Sequence, residues 1–320
     1  MMISSFLFVF LVFFSSFIAI SSSSWFGAWI GLELNLLSFI PLIIYKKNYK
    51  SSETAIKYFL IQAMASTIII FNSSFLMLHY FTTPITMALT LKMGAAPLHF
   101  WFPQIMEGMM WPQILMMLTI QKLAPMMLMS YLDNNNLLFF IIISSAVFGA
   151  IGTLMFPSLR KILAYSSINH MSWMLAGIYI KDMMWLIYFL FYSILSTAMV
   201  LMFMSMNTFS MLSMNAFNSK SLFLPINILS LGGLPPFMGF MPKWMMIQTL
   251  YNYNMILIIV SLLAMSLIIM YVYMQIIIYF LLFKPLNPYK MINKKNNMLY
   301  FITFINVSSM MLMPFVFFFI

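Results

Sequence analysis

PQILMMLTIQKLAPMMLMSY, residues Pro112 to Tyr131, is a run of twenty residues with a single charge, Lys122, near its middle. At ~1.5 Å of rise per residue such a run, coiled as a helix, covers about 30 Å, the thickness of a bilayer's hydrocarbon core. Lys122 then lies about 15 Å from either edge, and no acid in the stretch can pair with it. A charge at that depth costs roughly 2.5 to 3.5 kcal/mol. A lysine near the end of a span escapes the cost by snorkelling to the headgroups. One at the midpoint reads instead as a group in a hydrated cavity between helices, able to exchange a proton.

The remainder of the chain has the same character. Hydrophobic residues make up 64% of the 320 positions and charged residues 6%, with a mean hydropathy of +1.01. A soluble domain of this size could not carry that composition, so the sequence reads as an integral membrane protein. The formal net charge of +10 sits mostly in short segments between apolar runs, where basic residues set orientation and call for no nucleic-acid partner. Cysteine is absent, which removes disulfides, iron–sulfur ligands and thiolate chemistry. No glycine-rich phosphate cradle occurs either. The 38 methionines beside a single arginine suggest a very A+T-rich organelle gene.

Apolar runs of spanning length fall at Met1–Ile20, Trp25–Tyr45, Thr54–Leu78, Pro84–Ile105, Pro112–Tyr131, Leu137–Phe156, Ile162–Ile180, Met183–Met206, Leu222–Tyr251, Met255–Phe283 and Met298–Phe319. The expected fold is therefore an all-α polytopic membrane protein of about eleven transmembrane helices, one membrane domain over 1–320. Met1–Ile20 lacks a basic leader region and reads as the first span. Lys46, Lys47, Lys50, Arg160, Lys161, Lys220, Lys284, Lys290, Lys294 and Lys295 follow the even-numbered spans, whereas the other loops are neutral or acidic, Lys181 being offset by Asp182. The positive-inside rule puts the basic loops and the N-terminus on the matrix or cytoplasmic side, with the C-terminus opposite.

Two spans stand apart: LKMGAAPLHFWFP (Leu91–Pro103) in the fourth and LGGLPPFMGFMPKW (Leu231–Trp244) in the ninth, each with Gly and Pro at depth and a lysine alongside. Proline removes a donor and clashes with the preceding turn, so both helices should break and free backbone groups. Matched interruptions in two halves point to inverted repeats. Residues 1–131 and 137–283 are the expected five-helix repeats, each with a broken fourth helix, and 298–320 is an extra C-terminal helix.

Four charges lie well inside spans: Glu33, Lys92, Lys122 and Lys243. One acid and three bases make a chain of titratable groups and not a cage for a hard cation, which favours several oxygen ligands. His99 follows the first break and His170 lies in SSINHMSWM (Ser166–Met174); either could pass a proton or simply pack. Glu53, Glu107, Asp133 and Asp182 read as solvated, and the Met and aromatic runs as lipid-facing or packing surface.

GLELNLLSFIPL (Gly31–Leu42), LKMGAAPLHFWFPQIMEG (Leu91–Gly108), QKLAP (Gln121–Pro125), SSINHMSWM and GGLPPFMGFMPKW (Gly232–Trp244) occur in one order over the whole chain. Together they resemble the second-subunit family of animal mitochondrial NADH:ubiquinone oxidoreductase, respiratory complex I. The resemblance implies an antiporter-like subunit of the proton-pumping membrane arm, in the mitochondrial inner membrane, with other membrane-arm subunits and lipid as partners. By that resemblance Glu33, Lys92, Lys122 and Lys243 form the proton relay, with His170 as a bridge. It also implies that NADH, flavin, iron–sulfur clusters and ubiquinone belong to other subunits, so this chain carries no cofactor. Two readings compete, a stand-alone cation/proton antiporter and a structural subunit without transport. Co-migration with a flavin and iron–sulfur assembly separates them.

Overall fold

A computed structural model of the chain describes residues 2–44, 48–74, 82–132, 136–206, 209 and 223–282. The expected eleventh span, the loop residues Lys46, Lys47, Asp133, Lys220, Lys284, Lys290, Lys294 and Lys295, and His79 lie outside the described residues. Within them the chain is almost wholly helical: α1 (Met2–Ser21), α2 (Trp25–Ile43), α3 (Tyr49–Ser73), α4 (Thr82–Met93), α5 (Trp101–Gly108), α6 (Trp111–Leu118) and α7 (Ile120–Ser130), then α8 (Asn136–Met155), α9 (Leu159–Tyr179), α10 (Met184–Met206), α11 (Phe223–Gly232), α12 (Phe240–Asn252) and α13 (Ile256–Leu282). By length and composition α2, α3, α8, α10 and α13 can each cross a membrane alone.

The fourth and ninth apolar runs are interrupted where glycine and proline cluster, giving α4 with α5 and α11 with α12. The fifth run departs from expectation. It is two helices, α6 and α7, separated at Thr119, whose φ of −114° and ψ of −84° are not helical. Thr119 Oγ1 donates back to the Leu115 carbonyl at 2.8 Å, and Pro125 inside α7 cannot donate to the Gln121 carbonyl. Together they loosen the ladder on both sides of Lys122. A second correction is local: Arg160 and Lys161, expected in a loop, form the first turn of α9.

α9 is the hub of the bundle. Every residue of it except Arg160, Lys161 and Tyr179 is buried, against α5, α7, α8, α10, α12 and α13. Lipid tails offer helices no hydrophobic incentive to associate, so close packing relies on small residues. A Cβ on Gly149 of α8 would fall 2.8 Å from the Asn169 nitrogen of α9, and one on Gly31 of α2 would fall 2.6 Å from the Ala19 nitrogen of α1. The outer faces carry the reverse pattern. Phe6, Phe10 and Phe17 of α1 and Ile256, Val260 and Leu267 of α13 are mostly exposed, a surface that only hydrocarbon or a neighbouring protein can cover.

Candidate functional site

The two breaks at glycine and proline are built alike. Gly94 (φ 74°) and Gly233 (φ 79°) each take the left-handed conformation just beyond a half-helix. The Gly94 N–H donates to Leu91 O and the Ala95 N–H to Thr90 O; in the second break the Gly233 N–H donates to Ser230 O and the Leu234 N–H to Leu229 O. Both are Schellman ends, which need a residue at positive φ and so favour glycine. Lys92 sits in the last turn of α4. Lys243 starts from the other half-helix, α12, yet its Nζ donates to the Gly232 carbonyl at 2.6 Å, at the end of α11. Each lysine therefore stands at the C-terminus of a half-helix, the electronegative end that favours a cation.

Lys92, Lys122 and Lys243 are 6%, 1% and 8% exposed, so none reaches water along its own side chain. Lys122 has no hydrogen-bond partner for its buried Nζ. The ammonium lies instead over two aromatic rings, 5.1 Å from the centroid of Phe102 and 5.4 Å from that of Tyr192. Such contacts offset part of the desolvation of a cation without fixing its proton in a hydrogen bond. Phe102 also closes the first break, since a Cβ on Gly94 would meet its Cβ and ring atoms at 2.9 to 3.1 Å. Trp101 adds a clamp from Nε1 to the Leu91 carbonyl, 3.1 Å, across the same break. The Lys92 half-helix and the Lys122 ammonium thus share one aromatic wall.

His170 is buried in α9, with Nδ1 2.9 Å from the Tyr188 hydroxyl and its ring 5.1 Å from that of Tyr192. The charges of both Lys122 and Lys243 act on it. Tyr192 and Tyr273 hydroxyls lie near Ser167 and Ser166 without completing a hydrogen bond, and the Asn169 Oδ1 is also unpaired. Buried polar atoms left open in this way suit internal water. His99 is different in kind: its Nδ1 is 3.3 Å from the Pro97 carbonyl and its ring packs against Phe100, Phe148 and Tyr165. The packing reading fits it.

Glu33 is half-buried in α2, and its charge acts on Lys92. Among the described residues the two are not joined by an ion-pair contact within 4 Å, so they interact through space. Beside them runs a hydrogen-bond bridge that sequence reasoning missed. The Tyr58 hydroxyl donates to Gln121 Oε1 at 3.1 Å, and Gln121 Nε2 donates to Asn35 Oδ1 at 2.9 Å. Gln62 Nε2 reaches the Lys92 carbonyl at 3.2 Å. The bridge ties α2 and α3 to the residue preceding Lys122. Among the described residues no group of three or more His, Asp or Glu side chains could hold a metal ion.

Residues 22–85 and 73–269 match the family described as NADH:quinone oxidoreductase/Mrp antiporter, TM. NADH-ubiquinone oxidoreductase chain 2 of Anopheles gambiae is 44% identical over 292 residues, covering 86% of this chain and 85% of that relative. This chain belongs to the NADH-ubiquinone oxidoreductase chain 2 family. Chain 2 of the earthworm Lumbricus terrestris is 38% identical over 280 residues, covering 82% of this chain and 83% of that one. The chain 2 fold has solved counterparts. A chain of respiratory complex I from Thermus thermophilus superposes with a TM-score of 0.87 at 20% identity, covering 98% of this chain and 79% of that one. A chain of the Mrp complex from Dietzia sp. gives 0.79 at 16%, covering 87% and 60%.

Proposed function

We propose that the chain is a proton-translocating membrane-arm subunit of NADH:ubiquinone oxidoreductase, with Glu33, Lys92, Lys122, His170 and Lys243 as its relay. Family membership supports the complex, and the mitochondrial inner membrane follows from it. The observation that carries the relay is the position of His170, buried and acted on by the charges of both Lys122 and Lys243. A proton held at Lys122 has no hydrogen-bond partner to retain it. The imidazole, hydrogen-bonded on one side to Tyr188, can take that proton or align the water that does. Lys243 is the next acceptor, and the Gly232 carbonyl anchors its ammonium.

The control element is Glu33 with Lys92. Two unit charges about 6 Å apart at an effective dielectric near 20 interact by about 3 kcal/mol. Moving one proton against 100 mV takes about 2.3 kcal/mol. A change in the field at Lys92, delivered along the Phe102 wall to Lys122, is therefore of the scale one proton step requires. Driving energy comes from quinone reduction in other subunits, and the redox chemistry is theirs. We read α1–α7 and α8–α13 as inverted five-span repeats, with residues 298–320 as an eleventh span and the N-terminus on the matrix side. The equivalent Schellman breaks at Gly94 and Gly233 favour that pairing of halves.

The test is purification of the intact complex from native inner membrane and its reconstitution in vesicles. The chain should co-purify with NADH:ubiquinone turnover, and that turnover should acidify one compartment. A chain that separates from NADH dehydrogenase activity while cation exchange persists in its own fraction would replace this reading with the stand-alone antiporter.

A further inference from the structure

One face of α3 changes chemistry along its length. Lys50, Glu53 and Lys57 lie on it within the first turns, and Leu60, Met64 and Phe71 continue it at helical spacing. The three apolar members are at least half exposed. At the charged end two adjoining cavities of about 240 and 340 Å³ share Lys50, Glu107, Gly108 and Arg160 as walls.

The charges there do not cancel. Lys57 Nζ holds Glu53 Oε1 at 2.6 Å and Lys161 Nζ holds Glu107 Oε2 at 2.7 Å. Among the described residues Lys50 and Arg160 have no carboxylate within 4 Å; the Glu107 charge also acts on Arg160, but its carboxylate is held by Lys161, so four cations share two acids. Arg160 is held in place by one bond from Nη1 to the Met109 carbonyl, 3.0 Å, and by the Phe209 ring 4.8 Å away. Its buried Nε has no acceptor.

We propose that these cavities seat the phosphate headgroup of an anionic phospholipid whose acyl chains run down the Leu60–Met64–Phe71 stripe. Two unpaired cations, one fixed and one flexible, suit a phosphodiester. Continuity between the cationic cavity and an exposed apolar stripe on a span-length helix is what selects a lipid over a soluble anion. The site lies on the basic side of the membrane, where anionic headgroups are held by about 1 kcal/mol per nearby cation, or about fivefold in occupancy.

The experiment uses the intact complex in mild detergent with two photoactivatable lipids, a phosphatidylglycerol and a phosphatidylcholine carrying the same diazirine acyl chain. Cross-linked peptides are mapped by mass spectrometry. The α3 peptide spanning Leu60 to Phe71 should be labelled at least about fivefold more by the anionic probe, and millimolar inorganic phosphate should not reduce that excess. The exposed face of α13 serves as the internal control and should take both probes equally. Lys50→Gln should lower the excess about fivefold. Equal labelling of α3 by both probes, or full competition by inorganic phosphate, would overturn the lipid site. Labelling of α13 with none on α3 would do so as well, by showing that a neighbouring subunit covers the face.

Discussion

At the scale of single residues the distinctive feature is a cation with no hydrogen bond. Replacing Lys122 by methionine keeps the length of the side chain and removes a buried charge that nothing pairs, so assembly should be unharmed. Coupled turnover should fall about a hundredfold or more, the scale of losing one positioned proton-transfer group. Lys161→Met is the control. It breaks an ion pair with Glu107 at a partly exposed surface, worth at most about 1 kcal/mol, and turnover should stay near normal. NADH oxidation in reconstituted vesicles, with the amount of assembled complex measured separately, reads both variants; equal losses would mean that the fold merely needs positive charge. The Glu33–Lys92 coupling predicts a second result in the same assay. Glu33→Gln and Lys92→Met should each lower turnover, and the double variant should be little worse than either, because groups acting as one unit are not additive. Losses that multiply would mean two independent roles. The ionisable members of the site were legible in the sequence, since a charge inside an apolar run is conspicuous by itself. Tyr58, Gln121, Asn35 and Tyr188 were not. Neutral polar groups leave little trace in hydropathy, and the bonds that give them meaning join residues 18, 63 and 86 positions apart.

At the scale of elements the proposed relay depends on the two breaks, whose glycines are constrained twice, by positive φ and by what stands beside them. Gly233→Ala would cost about 1 to 2 kcal/mol for the left-handed backbone. It would also put a methyl 2.9 Å from Lys243 Nζ, displacing the ammonium from the Gly232 carbonyl. Turnover should fall severalfold while the complex still assembles. Asn254, also left-handed at φ 58° but at the far end of α12, offers the comparison: Asn254→Gly should leave turnover unchanged. A loss of turnover in both variants would assign the Gly233 effect to general backbone disturbance. The breaks near Gly94 and Gly233 could be foreseen because glycine and proline cluster there. The one at Thr119 could not, because threonine is common in helices and Pro125 lies six residues further on. The back-bond from Thr119 to Leu115 accompanies the turn out of the helix at that point, where Lys122 is packed against Phe102 and Tyr192.

For the whole molecule the first question is which way it faces. With an impermeant amine reagent, exposed Lys50 should react only from the matrix side and exposed Lys181 only from the opposite side, in mitoplasts compared with inverted vesicles. The reverse pattern would overturn the assigned polarity. The sequence conveyed the membrane and the family because both are written in features of one dimension, hydropathy and motif order. It did not convey the burial of α9 on all sides, for a helix holding serines, an asparagine and a histidine reads as amphipathic until its six neighbours are seen. The contact between Lys243 and the Gly232 carbonyl has an electrical consequence. If, as in the proposed relay, this ammonium gives up its proton, the pair that remains is an amine and a peptide carbonyl, both neutral. A carboxylate as counter-ion would be left stranded in hydrocarbon at every cycle. With a peptide dipole in its place, that pair can rest fully discharged between strokes, and the transmembrane voltage then has nothing in it to pull on.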